Sequence, residues 1–591
     1  MPTLLGHVGA VAGSTASIRQ HENVASGIAI IGGRSYRVGQ VGSFVRIPQG
    51  YHDLYGIISD VGATATPETA SDVGAKGERW IKIQLVGEVV DTTFERGIGQ
   101  YPSINDQVHL VTEEDLLRIY GVSSTGQVTI GRLSGAESIP VRIDLDKLVT
   151  RHSAVLGSTG SGKSTTVTSL LRSITVGHED GAVFPSARVL LIDIHGEYGE
   201  ALGEAAKVFR VNPKTNEHPL YVPYWAMDLS DLLTFLLGKT EEKAIASIQD
   251  RILTMKRSAV GTGTFPGVDD GSLTHESPIP FSLKELWFSL LDPEIKTWNE
   301  NTQQTSAINT EGSAANLVAP VYPHPGVGNT PPFANKNGVL SIRRQLDQLR
   351  SRLLDKQFDF MLHPGDWEPD LLGSAPSDLP QLLESWLGHD KQITVLDLSG
   401  VPSSVLMRLI GGILNIMYEA LFWGRMRPEG GRERPLLIVM EEAHRYLGKE
   451  NSSLARDAVQ RIVKEGRKFG VGAMIVSQRP SEIDDTILSQ CGTIFSLRLS
   501  NAADRSKVQA ALPDSLSGIV DSLPVLRTGE AVITGEAAKL PVRCRVTLPG
   551  EGKRPSSEDP QVTKSWIKPR SEEDYGALAA VWRSQNPNFK E

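Results

Sequence analysis

Apolar residues along this chain follow three different rhythms, and each predicts a different kind of structure. Over the first 145 or so residues, short Val- and Ile-rich bursts at 27–31, 43–47, 56–59 and 80–86 are broken by turn residues. Bursts of that length at short intervals predict the strands of a small closed or nearly closed β-barrel. Only 113–120 carries a helical repeat in this region. From Arg151 to about 212, β-rich runs alternate with helical stretches, the rhythm of a parallel sheet covered by helices. Residues 225–390 lose that alternation, and 229–257, 282–291 and 341–360 predict the helices of an insertion. Within it, 299–337 is rich in Asn, Thr, Pro, Gly and Ser and predicts a long loop or a disordered segment. The β/α rhythm resumes at 393–398 and runs to about 548; a polar, Pro-rich tail then ends in a predicted helix around 573–585. The expected units are a barrel domain at 1–145, a first core part at 146–224, a helical insertion at 225–390, a second core part at 391–548 and a tail at 549–591, with no internal repeat.

Composition narrows the class. A chain of 591 residues allows about three to five domain-sized units. With 40% hydrophobic and 22% charged residues it can bury large cores, which rules out a wholly disordered or collagen-like chain. The two cysteines, Cys491 and Cys544, are too few for a disulfide scaffold and point to a reducing cytoplasm. The apolar run at 405–423 is interrupted by Arg408, Asn415 and Glu419, so it predicts a buried helix and no membrane span. The first seven residues lack the basic start and apolar run of a secretion signal. Sixty basic against 69 acidic side chains give a net charge of −9, so any contact with DNA must come from locally concentrated basic residues.

The chemistry is concentrated in a few runs. Gly157-Ser158-Thr159-Gly160-Ser161-Gly162-Lys163-Ser164 fits G-x-x-x-x-G-K-[ST] at every fixed position, after an apolar strand (154–156) and before a helix that opens at Thr165. Its glycines let the backbone wrap around phosphate, so that N–H groups and a helix N-terminus face the anion. Lys163 would reach the β- and γ-phosphates of ATP, and the Ser164 hydroxyl would ligate Mg²⁺. A second apolar strand, 436–440, ends in Glu441 and Glu442, which places two acids at the edge where a parallel sheet binds its ligand. Glu441 would hold the Mg²⁺ shell and Glu442 would polarise the attacking water, although Asp is the commoner first acid. A third strand, 472–477, runs into Gln478, either a γ-phosphate sensor or an ordinary strand-end cap. Arg467 lies at a helix end before that strand; it is either an arginine finger or a helix-terminal charge on the dipole.

Taken together these runs resemble the HerA-type ATPases, in the HerA/FtsK branch of P-loop motors. The resemblance is carried by Arg151-His152-Ser153 leading into the phosphate loop, by Asp193-Ile194-His195-Gly196-Glu197-Tyr198, by Glu441-Glu442-Ala443-His444, by Glu465-Gly466-Arg467-Lys468 and by Ser477-Gln478-Arg479-Pro480. It spans roughly residues 5–548 and is weakest in the insertion. It implies an α/β fold with a RecA-like P-loop ATPase core and an N-terminal barrel like the family's HAS-barrel. It further implies a homohexameric ring that translocates double-stranded DNA, with each ATP held between neighbours. Lys163, Ser164, Glu442 and Gln478 then belong to one subunit, Arg467 acts in trans, and Arg151 joins residues 157–165 as a nucleotide-linked contact. Asp193, His195 and Glu197 either couple nucleotide state to the pore or brace their loop. Lys207, Arg210 and Lys214 are candidate pore contacts or solvated surface charge. A partner nuclease, or a Sir2-type effector in antiphage defence, would dock on the barrel. Nothing in the chain supplies nuclease, metal-cluster or NAD chemistry of its own. Rival readings are a secretion or conjugation motor and an ATP-gated scaffold for an effector. A GTPase is disfavoured because Asn335-Lys336-Asn337-Gly338 lacks the Asp that reads guanine, and an ABC ATPase because Leu398-Ser399-Gly400-Val401 is only a partial signature.

Overall fold

The computed structural model describes residues 3–21, 24, 27–31, 33–63, 79–91, 93–120, 125–177, 182–263, 265–302, 304–326, 328–330, 338–449, 453–511, 520–555, 562–567 and 575–584. The N-terminal strands are β1 (Leu4–Ala12), β2 (Thr15–Gln20), β3 (Ile28–Ile31), β4 (Arg34–Arg37), β5 (Phe44–Pro48), β6 (His52–Ala63), β7 (Arg79–Val90), β8 (Thr93–Arg96) and β9 (Gln107–Leu110). Six of them close into an antiparallel barrel in the order β2-β1-β9-β5-β6-β7, with β7 pairing back onto β2; β8 extends β7, and β3–β4 form a separate hairpin. Alternation explains the closure: Ala16 and Ile18, Val45 and Ile47, Ile81 and Ile83 point inward on successive strands and fill the lumen with Leu5, Val8, Leu54 and Val108. The Arg96 guanidinium fastens the barrel to the core by donating to the carbonyls of Gly535, Ala538 and Lys539 at 2.5, 2.8 and 3.0 Å.

The core is one twelve-stranded sheet. Its strands are β10 (Gln127–Leu133), β11 (Ala136–Asp144), β12 (Ser153–Leu156), β13 (Val189–Asp193), β14 (Ala206–Arg210) and β15 (His218–Pro219), and then, beyond three short strands β16 (Trp298–Asn299), β17 (Gln304–Thr305) and β18 (Asn329–Thr330), β19 (Ile393–Asp397), β20 (Leu436–Met440), β21 (Val471–Ser477), β22 (Thr493–Ser496), β23 (Glu530–Gly535) and β24 (Val542–Val546). The order is β11-β10-β24-β23-β22-β12-β21-β20-β13-β19-β14-β15. From β22 to β15 neighbours are parallel, and β12, β13, β19, β20 and β21 are buried at every residue, as expected of strands covered on both faces.

Two expectations change at this level, and two are met in finer detail. The hairpin β10–β11 pairs with β24 and belongs to the core sheet, so the first 145 residues are not all barrel. A period-two pattern is the same in a barrel and at a sheet edge, and only the distant partner strand distinguishes them. The helix expected over 229–257 is two helices, Leu229–Leu237 and Glu242–Thr262, separated at Gly238 with φ +70°. The described part of 299–337 is a long loop, one of the two expectations, anchored by the buried Ala314, Leu317 and Tyr322, with the Leu317 carbonyl accepting from Arg350 at 2.7 Å. Residues 331–337, including Asn335-Lys336-Asn337, lie outside the described residues. The tail forms helices Val562–Trp566 and Tyr575–Ser584; residues 573, 574 and 585 lie outside the described set.

The insertion covers one face of the sheet and shares its core. Trp225, Ile248, Trp287, Leu346 and Trp386 pack in the same cluster as Ala154, Leu190 and Leu396. Helix Ser403–Trp423 is apolar because it is a core helix; at Gly411 a Cβ would lie 2.7 Å from Leu454 Cβ, which only glycine permits. Both cysteines are free and buried.

His152 binds the start of β12 to β21. It is buried at φ +54°, and its Nδ1 accepts the Ala473 N–H at 3.1 Å. Burial pushes its pKa down from 6.5 to about 4, so the fold requires the neutral ring. The unfolded chain therefore binds the extra proton, and this contribution is full above 6.5 and is lost as pH falls from 6.5 towards 4. His152→Asn, which cannot titrate, should show a shallower fall in thermal midpoint over that window than the native chain; superimposable curves would refute it.

Candidate nucleotide site

The phosphate loop is shaped by what surrounds it. β12 delivers Gly157 beside β21, where a Cβ would lie 2.5 Å from Ser161 Oγ and 2.8 Å from Leu497 Cβ. Gly160 and Gly162 take φ +70° and +97°. Gly162 caps helix Lys163–Thr175 without a side chain, so the first N–H groups of the helix remain directed at the loop's hollow. Hydrogen bonds from outside hold the wrap: Gly157 N–H to Ser477 O at 3.2 Å, Ser158 N–H to Arg498 O at 2.8 Å and Gly529 N–H to Ser161 O at 3.0 Å. Arg498 and the Thr528 hydroxyl both donate to Gly160 O, at 3.4 and 3.3 Å. Lys163 is buried across its own loop, its Nζ 3.5 Å from Ser158 O.

The acids arrive on the neighbouring strands. Leu156 pairs with Ser477, Met440 with Ile475 and Ile192 with Met440, so parallel register brings Gly157, Gln478, Glu441, Glu442 and Asp193 to one edge. Gln478 Oε1 accepts from the Thr159 hydroxyl at 2.6 Å, which ties the end of β21 to the loop. Glu441 is buried and accepts from the Tyr198 hydroxyl at 2.6 Å. Burial raises its pKa, and the nearby Glu442 and Asp193 raise it further, against the Tyr198 bond and the Lys163 charge. Glu442 is buried too and takes φ +46°, a left-handed conformation that costs a non-glycine residue about 1–3 kcal/mol. Its Oε2 lies 3.2 Å from His444 Nδ1 but is not aligned for a hydrogen bond, so this buried oxygen has no partner among the described residues. Burial lowers the His444 pKa, which favours the neutral ring. A strained, buried side chain with one oxygen left without a hydrogen-bond partner is suited to accepting from a water.

Ser164 and Glu441 fit Mg²⁺ as a shared shell. Among the described residues no group of three or more His, Cys, Asp or Glu is arranged to hold a metal. Mg²⁺ ordinarily takes one or two protein oxygens and completes its shell with phosphate and water, which matches this donor set.

Two sequence candidates are not brought to this edge. Arg467 is exposed on the turn Gly466–Phe469, at the opposite end of β21 from Gln478; seven strand residues place it roughly 20 Å away. Arg151 precedes β12 at that same far end and pairs with Glu536 at 3.4 Å, so it is not a contact of its own phosphate loop. Arg210 is held against the buried Asp397 and lies 3.5 Å from Glu217, Lys214 pairs with Glu200 at 2.9 Å, and Lys207 lies over the Phe209 ring at 5.1 Å. Arg210 is therefore an internal ion pair and not a free pore contact. His195 is exposed and Glu197 half-buried on the turn after β13. Sequence reasoning assigned no role to Tyr198, Arg498 or Thr528. Tyr198 stood inside a quoted motif, whereas Arg498 and Thr528 reach the loop only through tertiary placement and carry no local signal.

The arrangement can cradle a triphosphate, neutralise it with Lys163 and deliver water from Glu442. Lys163→Ala should weaken ATP binding by about tenfold or more, measured by calorimetry. Glu442→Ala should keep binding while steady-state hydrolysis falls by about 10²–10⁴-fold. Native turnover in Glu442→Ala would remove it from the water-activating role.

Known proteins converge on the same region. Residues 128–417 match the model of the helicase HerA central domain, and residues 406–548 match the helicase HerA-like C-terminal domain. The DNA double-strand break repair helicase HerA of Sulfurisphaera tokodaii is 28% identical over 481 residues, covering 81% of this chain and 80% of that one. The HerA of Sulfolobus acidocaldarius is 28% identical over 482 residues, with the same shares of the two chains. That of Pyrococcus furiosus is 25% identical over 516, covering 81% and 79%. Among solved structures, VirB4 of Thermoanaerobacter pseudethanolicus is 14% identical with a TM-score of 0.45, covering 72% of this chain and 98% of that one. The bacterial conjugative coupling protein TrwB is 14% identical with a TM-score of 0.40, covering 76% and 94%. With its phosphate loop, its paired acids and both halves of its core matched, this chain belongs to the HerA helicase family of P-loop ATPases.

Proposed function

We propose that the chain is one protomer of a homohexameric ring that hydrolyses ATP to move double-stranded DNA, in the cytoplasm, with a partner enzyme docked on the N-terminal barrel. One observation carries this reading: the phosphate loop and the acids lie at one edge of the sheet, whereas Arg467 lies exposed at the other, roughly 20 Å away. A protomer cannot place Arg467 on its own ATP, but a neighbour stacked edge to edge can. Each seam then contains Lys163, Ser164, Glu441, Glu442 and Gln478 from one copy and Arg467 from the next. Mg²⁺, held by Ser164 and Glu441, would offset charge on the triphosphate. Lys163 holds the γ-phosphate, Glu442 accepts a proton from the attacking water, Gln478 senses the γ-phosphate, and Arg467 neutralises the charge that develops as the bond breaks. Loss of the γ-phosphate releases Arg467 and loosens the seam, which turns hydrolysis into movement between neighbours.

Six copies of a small basic patch suffice to grip a phosphate backbone without reading bases, so an overall charge of −9 is compatible with DNA transport. The partner is a nuclease or a Sir2-type effector. Exposed Tyr51, Tyr101 and Ile104 on the barrel supply apolar area for docking.

Two measurements test the reading. Mixed rings of Arg467→Ala and Glu442→Ala subunits should hydrolyse ATP faster than either pure variant, since some seams regain a full set; no rescue at any ratio would exclude a shared site. Duplex DNA should stimulate hydrolysis by the isolated ring. Stimulation only after the co-purifying partner is restored would favour an ATP-gated scaffold instead.

A further inference from the structure

The turn that carries Arg467 is gripped by one helix on both sides of that residue. Tyr418 and Phe422 stand four residues apart on helix Ser403–Trp423, so they share a face, and their rings stack 5.7 Å apart at 21°. Two residues before Arg467, Glu465 Oε2 accepts from the Tyr418 hydroxyl at 3.1 Å. Two residues after it, the Phe469 ring meets the Phe422 ring edge-on, with centroids 4.8 Å apart at 72°. The main chain of the turn is held as well. Leu436 N–H donates to Gly470 O at 2.9 Å, and a Cβ on Gly470 would run into Gly431 O, as one on Gly431 would run into Phe469 O. Only a pair of glycines permits so close an approach between this turn and the loop before β20.

Arg467 itself is exposed and takes part in none of these contacts. The preceding helix, Leu454–Glu465, is already secured in the core by Ala455, Val459 and Ile462. The grips at its end, with Phe422 and Phe469 half-buried and Glu465 exposed, therefore act on the turn. A charge that must meet a transferring phosphoryl group depends on such control, because a misplacement of about 1 Å can cost about 10²-fold in rate. We propose that Tyr418 and Phe422 are positioning residues for Arg467: from one face of a single helix they hold the residues two before and two after it, and so fix where its guanidinium stands toward the ATP of the next protomer. The proposal rests on the reading of Arg467 as a contact made in trans.

The test is steady-state ATP hydrolysis by the full-length protein. Phe422→Leu keeps apolar volume and loses the ring edge; it should lower kcat by about 10-fold or more, with KM for ATP within about twofold of native. Tyr418→Phe keeps the stack, loses the bond to Glu465 and should lower kcat by about threefold. Neither change should lower kcat further in an Arg467→Ala background, because a residue acting through the arginine then has nothing to position. Rings mixed from Phe422→Leu and Glu442→Ala subunits should turn over faster than the weighted sum of the two pure rings, since Phe422→Leu sites then receive a sound arginine from the neighbour. No gain there, where Arg467→Ala mixed with Glu442→Ala does gain, means damage within the subunit's own site and overturns the proposal. If Arg467→Ala keeps the native kcat, the reading of the arginine fails and the proposal with it. If Arg467→Ala loses activity while Phe422→Leu and Tyr418→Phe keep it, the aromatic contacts are packing only and the proposal alone is overturned. Should Phe422→Leu not fold by its thermal midpoint, Tyr418→Phe decides, and a native kcat there overturns the proposal equally.

Discussion

Parallel register between β12, β21, β20 and β13 is the constraint on which everything else in this molecule depends. Because Leu156 lies beside Ser477, Met440 beside Ile475 and Ile192 beside Met440, four chain segments separated by up to hundreds of residues end in one row. A slip of one residue would turn every side chain of a strand to the opposite face. The sheet guards against it by being buried on both faces, with strands read as uninterrupted apolar runs. The same register sends Arg151 and Arg467 to the far edge. The placement of these two arginines away from the phosphate loop is thus built in by strand direction.

That row is electrostatically costly. Asp193, Glu441 and Glu442 are buried within one site, and burial, with the neighbouring carboxylates, raises the pKa of the first two, to about 7 for Asp193. Each is offset locally and by different means: three backbone N–H groups on Asp193, the Tyr198 hydroxyl on Glu441, and Lys163 across the loop. Glu442 has the least compensation, with a strained backbone and one oxygen without a partner. A group left under-satisfied at a site is available to substrate in a way that a fully bonded one is not. Further along the same edge, Asp397 is paired by Arg210 and so belongs to the scaffold.

The insertion and the barrel illustrate two kinds of attachment. The insertion's tryptophans share a hydrophobic cluster with the sheet, so it is part of the ATPase core's packing. The barrel keeps its own sealed lumen and meets the core partly through polar contacts such as Arg96 on three carbonyls. The barrel is thus a unit with its own core and with exposed apolar residues at its turns.

Local chemistry alone determined a good deal here. The spacing of glycines, lysine and serine from Gly157 to Ser164 dictates a phosphate loop because only that order supplies left-handed turns, free N–H groups and a charge in eight residues. The apolar runs ending in Glu441-Glu442 and in Gln478 likewise announced which strands would end at the site. Tertiary structure decided what no local pattern contains: that the hairpin at 127–144 joins the core through β24, that Gly238 divides a helix, that Arg210 is spent on Asp397, that Arg498 and Thr528 close around the loop, and that Tyr198 reaches Glu441. The physical reason is that periodicity records which face of an element is buried, whereas the partner that buries it is fixed by pairing between residues far apart in the chain.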